Sequence, residues 1–470
     1  MIKFGTGGWR AEIGKDFCQD NIRRVAFGFV QYVKKRREAA RPVMIGYDRR
    51  FLSDSAAQWI AEVLCAGGIK VLFLHRSAPT PLVMHTVQHR DLYYGLEVTA
   101  SHNPSTYNGI KIIVREGRDA PPEVTEALES EIAAVGDDIP VLPFDECVEQ
   151  GLVKYIENPF NDFLDSVLNV LDRDAIRARG PRILFDTMHG SATYPLLVVF
   201  HTTRCTVDLL HENKDAYFGG MMPAPEEKTL GELSRKVVAG GYDLGIGVDG
   251  DGDRLGIVDS NGQYITANEI LVLLYYYLHE YKGWKGPVVR NVATTHMLDR
   301  IAADFNEASY EVPVGFKYIS SKIDEVDAVL GGESSGGLTV RGHIHGKDSV
   351  YAASLFVEMI CKTGKTPTAL LKKLRKKYGT FVMVEENIRF SPERKEELDR
   401  IIMTDRLLPD FGKPYEMLSY RDGCKVYFAD GGFVICRFSG TEPLLRIFAE
   451  GDSREAAAET IRAWRNFLDL

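Results

Sequence analysis

Short apolar runs alternate with amphipathic helical stretches from the N-terminus to about residue 370, and this rhythm admits few architectures. Val43 to Asp48 reads as a strand, after which Ser53 is the expected N-cap of a helix ending at Gly67 and Gly68. Lys70 to Leu74 and Gly95 to Ala100 continue as strands. A second series has strands at Arg182 to Asp186, Cys205 to Leu210 and Asp243 to Val248, and a third at Pro287 to Val292 and Ala328 to Gly331. Strands separated by helices must return over a sheet face, which produces parallel α/β units. Beyond about residue 370 the strands follow one another more directly, at Phe381 to Ile388, Cys424 to Ala429, Phe433 to Arg437 and Leu445 to Glu450. That change predicts an antiparallel sheet. The expected fold class is therefore three tandem α/β domains with mixed, largely parallel sheets and a C-terminal α+β domain. Their expected spans are residues 1–150, 151–260, 261–370 and 371–470. A chain of 470 residues is of the right length for about three to four domains.

Composition narrows the function classes. Hydrophobic residues make up 45% and charged residues 26%, as in ordinary globular proteins. The net charge of −9, with no basic stripe, argues against nucleic acid as a partner and leaves room for a small anion in a local basic cleft. The longest apolar run, Ile270 to Leu278, is too short for a bilayer and is interrupted by tyrosines. The opening MIKFGTGGWRAEIG has no apolar stretch of the secretory kind. A soluble cytoplasmic protein without membrane association is expected. The seven cysteines lack paired spacing, which predicts reduced thiols.

Four loops carry unusual chemistry. In TASHNPSTYNGIKI, Ser101 leaves a strand for a turn at Asn103 and Pro104, and an Asn108-Gly109 turn is expected to bring Lys111 back to the same edge. A hydroxyl beside His102 and Lys111 suits a nucleophile or a phosphate carrier. In GVDGDGDRLGI, Asp249, Asp251 and Asp253 alternate with glycines. Three carboxylates so close call for a hard cation, and oxygen-only ligation suits magnesium. The dinucleotide pattern formally present at Gly245, Gly247 and Gly250 fails, because the acidic loop repels a pyrophosphate and Arg254 to Val258 reads as a strand where a helix is required. An EF-hand fails as well, because Arg254 stands at its glycine position. GGESSGG taken alone reads as a plain glycine-rich turn, although its Glu333 and Ser335 are groups suited to sugar hydroxyls. RFSGTEPLLR supplies Arg437, Ser439, Gly440, Thr441 and Arg446 for a phosphate.

Together these motifs resemble the α-D-phosphohexomutases in order along essentially the whole chain, and the opening GTGGWR is similar to that family's N-terminus. The resemblance implies four domains around a central cleft. It implies Ser101 as a phosphoserine and metal ligand, with Asp249, Asp251 and Asp253 as magnesium ligands. Arg10, His102, Lys111 and Arg254 are the further catalytic candidates. Lys317, Glu333, Ser335, Lys347, Arg437, Ser439, Gly440, Thr441 and Arg446 are the candidates for binding a hexose phosphate. The activity implied is a mutase, most like phosphoglucomutase, with glucose 1,6-bisphosphate as intermediate and activator. Phosphomannomutase and phosphoglucosamine mutase are the alternatives within the family. A phosphatase or a non-catalytic sugar-phosphate binder are the alternatives outside it, and a monomer or homodimer is expected.

Overall fold

The computed structural model describes residues 2–5, 7–439 and 444–470. Seven strands form the first sheet: β1 (Trp9–Glu12), β2 (Val43–Tyr47), β3 (Val71–Phe73), β4 (Tyr94–Val98), β5 (Tyr107–Val114), β6 (Arg118–Asp119) and β7 (Val153–Tyr155). β4, β2, β3 and β7 are parallel neighbours, with helices Ser53–Ala66 and Thr80–His89 as crossovers. β5 turns back antiparallel against β4 and carries β1 and β6. Strands covered on both faces favour apolar residues at every position, as in VMIGY; in YGLEV the buried Glu97, opposite Lys111, is the exception.

The second sheet contains β8 (Arg182–Asp186), β9 (Thr206–Leu210), β10 (Leu244–Val248), β11 (Leu255–Asp259) and β12 (Tyr264–Ile265), in the order β12-β11-β10-β8-β9. The third contains β13 (Val288–Asn291), β14 (Ser309–Val312), β15 (Leu330–Gly332) and β16 (Leu338–Val340), in the order β14-β13-β15-β16. Both have a parallel centre and an antiparallel return, β10 to β11 and β15 to β16. The fourth contains β17 (Val382–Arg389), β18 (Tyr415–Ser419), β19 (Cys424–Phe428), β20 (Phe433–Phe438) and β21 (Leu444–Gly451). It is antiparallel throughout and packs on helix Arg454–Leu468. The fold class is the one expected, three α/β units and one α+β unit.

The apolar run at 270–278 lies within helix Ala267–Glu280 and is buried there, because neighbouring helices and strands surround it. Among the described residues no helix is long and apolar enough to cross a membrane. All seven cysteines are free. The fourth unit is seated on the third through Val292, Ala293, Phe433, Ile435 and Phe448. Beside that apolar contact, the buried Lys425 ammonium donates to Val292 O at 2.7 Å and to Glu311 at 2.6 Å.

Two local expectations are corrected. Ser53 does not cap its helix: Leu52 takes the cap position at φ 64°, and Ser53 Oγ donates to Asp48 Oδ1 at 2.7 Å. Asn108 and Gly109 form no turn and lie inside β5. The Asn108 amide is buried, donating to Phe51 O at 3.0 Å and Ser53 Oγ at 2.9 Å. A Cβ on Gly109 would stand 2.2 Å from Trp9 O, so glycine serves here to let β1 approach. Lys111 returns to the Ser101 edge because β5 pairs antiparallel with β4, placing it opposite Glu97.

Candidate active site

Every one of the four loops follows the same structural rule. The Ser101 loop joins β4 to β5, the acidic loop joins β10 to β11, GGESSGG joins β15 to β16, and the arginine loop lies between β20 and β21; each pair is antiparallel. In the first three sheets the loop is therefore delivered from the carboxyl end of a parallel strand, where open α/β sheets place their ligands.

Ser101 is fully buried in a left-handed conformation, φ 51°, which is uncommon for a residue with a Cβ. Its surroundings hold it there. Ser101 N donates to Thr99 Oγ1 at 2.8 Å, and Thr99 Oγ1 donates to Asp48 Oδ2 at 2.7 Å. The buried Arg50 side chain donates to four carbonyls of the loop. Ser101 Oγ consequently lies 2.9 Å from Asp249 Oδ2, 3.5 Å from Asp253 Oδ1 and 3.3 Å from His102 Nδ1. Arg10 Nη1 steadies the turn by donating to Asn103 Oδ1 at 2.7 Å.

Asp249, Asp251 and Asp253 are buried, with one oxygen from each within 4.8 Å of the others. Asp249 Oδ1 accepts the N–H groups of Asp253 and Arg254 at 2.8 and 2.9 Å. Lys111 Nζ donates to Asp251 Oδ2 at 2.6 Å and to Asp253 Oδ2 at 2.7 Å, and Lys347 Nζ meets Asp253 Oδ2 at 2.8 Å. Two buried lysines thus supply part of the compensation that the sequence assigned to a cation alone. Asp251 Oδ1 nonetheless remains buried without a hydrogen-bond partner. An oxygen-only donor set with one orphaned carboxylate oxygen fits a hard divalent cation.

Burial and neighbouring charges push these groups in different directions. Burial, reinforced by Asp253 and Asp251, pushes the Asp249 carboxyl well above the usual carboxylate range. Burial also opposes ionisation of Asp253, but Lys111, Lys347 and Arg254 outweigh it and hold that group well below. Lys111 is held in its charged form: burial disfavours the cation, and Asp251, Asp253 and Asp119 overcome that penalty. His102 is driven to neutral imidazole by burial and by the positive charges of Arg254 and Arg10.

A cleft of about 760 Å³ opens beside His102 and Arg254. His102, Arg254, Glu333, Ser335, Arg437 and Arg446 line it, so all four units contribute. Ser335 Oγ donates to Glu333 Oε1 at 2.8 Å. Gly337 has no side chain because the Lys347 stem crosses it: a Cβ there would lie 2.3 Å from Lys347 Cδ. Arg437 and Arg446 are directly opposed across β20 and β21. Asn387, opposite Arg446 on β17, and Arg454 at the start of the last helix also line the cleft. Ser439 is buried, its N–H donating to Leu444 O at 2.8 Å, while Gly440 and Thr441 lie outside the described residues. Lys317 is absent from the cleft wall, and its ammonium lies 5.4 Å from the centre of the Tyr318 ring.

Asp48, Arg50, Thr80, Thr99 and Arg454 were missed by sequence reasoning. Charges at the end of the apolar run in IGYDRRF were the one available signal, because a strand end that keeps Asp and Arg must pair them.

Residues 1–137, 161–262, 266–378 and 385–465 match, in that order, the phosphoglucomutase/phosphomannomutase alpha/beta/alpha domains I, II and III and the C-terminal domain. A phosphoglucomutase/phosphomannomutase of Thermococcus kodakarensis is 28% identical over 99% of this chain and 98% of its own length. A protein of Methanopyrus kandleri named a probable phosphoglucosamine mutase is 30% identical over 97% of this chain and 95% of its own. A crystal structure of a Thermus thermophilus protein assigned as a phosphomannomutase superposes with a TM-score of 0.86 at 26% identity, covering 100% of this chain and 99% of the other. With all four domains matched in order and a relative at 30% identity along nearly its whole length, the chain belongs to the α-D-phosphohexomutase family and is an enzyme of the isomerase class.

Proposed function

We propose that the enzyme interconverts glucose 1-phosphate and glucose 6-phosphate through a phosphorylated Ser101 and glucose 1,6-bisphosphate. The observation that carries this is the separation of two anion-handling sites. Ser101 Oγ sits against the acidic triad at 2.9 Å from Asp249, with its neighbour His102 on the cleft wall, while Arg437 and Arg446 line that cleft from another unit. A phosphatase needs only the first of these, whereas a mutase must hold a second phosphate while the first is in transit.

In the forward half-reaction the bond between Ser101 Oγ and phosphorus breaks as a substrate hydroxyl oxygen bonds to phosphorus, and the hydroxyl proton leaves to a base. His102 is the base we assign on position, because its imidazole lines the cleft with Nδ1 3.3 Å from Ser101 Oγ, whereas Lys111 stays a cation bound to two carboxylates. The negative charge of a bound phosphate would offset Arg254 and Arg10, which together with burial otherwise weaken this imidazole as a base. Arg437 and Arg446 hold the idle phosphate. The bisphosphate then turns over, its other phosphate returns to Ser101 Oγ, and His102 gives back the proton. Asp249, Asp251, Asp253 and Ser101 would hold magnesium, which when bound supplies positive charge beside the transferring group. Glu333 and Ser335 would meet the sugar hydroxyls, with Lys347 and Arg254 beside them.

Intact-mass measurement of the purified chain tests the phosphoenzyme: one added phosphate is expected, removed by sugar monophosphate. Comparison of kcat/KM for glucose, mannose and glucosamine 1-phosphates with added glucose bisphosphate tests the sugar. Glucose is expected first and mannose second, since inverting one hydroxyl in a site not built to bond it shifts specificity by only about 1–3 kcal/mol. A clear preference for glucosamine 1-phosphate overturns the choice of sugar and leaves the phosphoserine reading intact.

A further inference from the structure

Three consecutive carbonyls of the acidic loop are held by hydroxyl-bearing residues from three different units. Ser191 N and Oγ donate to Gly250 O at 3.0 and 3.1 Å, Thr80 N donates to Asp251 O at 2.8 Å, and Ser349 N and Oγ donate to Gly252 O at 3.2 and 2.6 Å. Of these three residues, Thr80 also reaches a carboxylate. Its Oγ1 donates to Asp251 Oδ2 at 2.7 Å, the same oxygen that accepts Lys111 Nζ at 2.6 Å. The other oxygen, Oδ1, is the buried one that has no partner.

The contact is built closely. Gly252, at φ 75°, packs where a Cβ would lie 2.7 Å from Pro79 Cβ and 3.1 Å from Ala192 Cβ, so the loop can approach the Pro79-Thr80 corner only as glycine. Thr80 itself is fully buried and is not part of the cleft wall, and its hydroxyl is committed to Asp251.

We propose that Thr80 is a positioning residue for the divalent cation. Together with Lys111 it saturates Asp251 Oδ2, which fixes the rotation of the carboxylate and leaves Oδ1 as the one oxygen turned to the cation. An unanchored carboxylate would exchange its two oxygens and lose that orientation on binding. Through the same residue the backbone of the acidic loop is registered to the unit that carries Ser101. The inference rests on reading the triad as the cation site, and the experiment separates the two.

Magnesium is titrated calorimetrically into the full-length protein without sugar phosphate, comparing wild type with Thr80→Val, Thr80→Ala, Thr80→Ser and Asp251→Asn. Valine keeps the shape and removes the hydroxyl; alanine removes both without overpacking, so one of the pair remains readable if the other folds poorly. Thr80→Val and Thr80→Ala are expected to raise the magnesium Kd roughly tenfold to a hundredfold, and Thr80→Ser to change it by less than about threefold. Wild-type affinity in folded Thr80→Val or Thr80→Ala, with affinity lost in Asp251→Asn, overturns the role of Thr80 alone. Unchanged affinity in Asp251→Asn overturns the cation site and this inference with it.

Discussion

The guanidinium of Arg50 donates to the carbonyl oxygen of Ser101 at 2.5 Å, and it reaches Asn103 O, Pro104 O and Tyr107 O at 2.6, 2.9 and 3.0 Å. Asp48 balances its charge at 3.4 Å, and the Phe218 ring of the second unit covers it at 4.8 Å. A planar fork of five donors can serve four carbonyls at once, and a single ammonium cannot. Arg50→Lys is therefore expected to fold but to lower kcat roughly a hundredfold with KM changed less than about threefold, since small misplacement of a nucleophile costs that much. Arg50→Ala leaves Asp48 buried and unpaired, a loss of about 3–5 kcal/mol. Steady-state kinetics and melting curves check both, and wild-type kcat in Arg50→Lys would rule out the positioning role.

Ser101→Ala should separate folding from turnover. The change removes the Oγ contacts to Asp249, His102 and Asp253, of which the 2.9 Å bond to Asp249 is the shortest, at a cost of about 1–2 kcal/mol. If Ser101 is the phosphate carrier, kcat falls by a factor of about a thousand or more, the scale seen on removing a covalent nucleophile. Mutase turnover near wild type, in a protein that melts normally, refutes the assignment.

Gly337→Ala probes the lysine that crosses the sugar loop. The added methyl must displace the Lys347 stem and, with it, the 2.8 Å contact of Nζ with Asp253. We expect kcat/KM to drop by about tenfold, equivalent to roughly 1.4 kcal/mol, with little change in melting because a flexible side chain absorbs the clash. An unaltered kcat/KM would show that the position of Lys347 is immaterial to turnover.

His85 makes the fold acid-sensitive. It is buried in helix Thr80–His89, stacked on His89 at 5.3 Å and on His343 at 5.8 Å, with Nδ1 unpartnered. Burial, then the neighbouring His343 and His89, bring its pKa down to about 3. The unfolded chain takes up this proton near pH 6.5, while the folded chain refuses it until about pH 3, so stability is lost as pH falls through that window. Between pH 6.5 and 4.5 the loss due to His85 is on the order of 2 kcal/mol. His85→Phe keeps the ring stack without the titration, and its melting temperature should fall less than the wild type's over that range. Parallel declines in the two proteins would remove His85 as the cause.

Local sequence carried the chemistry of this protein and the order of its elements. The spacing of Asp249, Asp251 and Asp253 with glycines between them, the strand ahead of Ser101, and the change of rhythm near residue 370 are short-range patterns, and periodicity reports directly on which faces are buried. Asn108-Gly109 shows where such patterns fail. The pair has strong turn propensity, yet the hydrogen bonds of β5 to β1 and β4 and the buried Asn108 amide outweigh it. Only the tertiary structure decided that the loops after β4, β10 and β15 occupy equivalent hairpin positions. It alone decided that Lys111 binds an aspartate 140 positions away, that Thr80 binds the same oxygen from 171 positions away, and that Arg50 binds the carbonyl of Ser101. A buried polar group must find a partner, and its own neighbours in sequence do not specify which distant group the packing of sheets will bring within hydrogen-bonding distance.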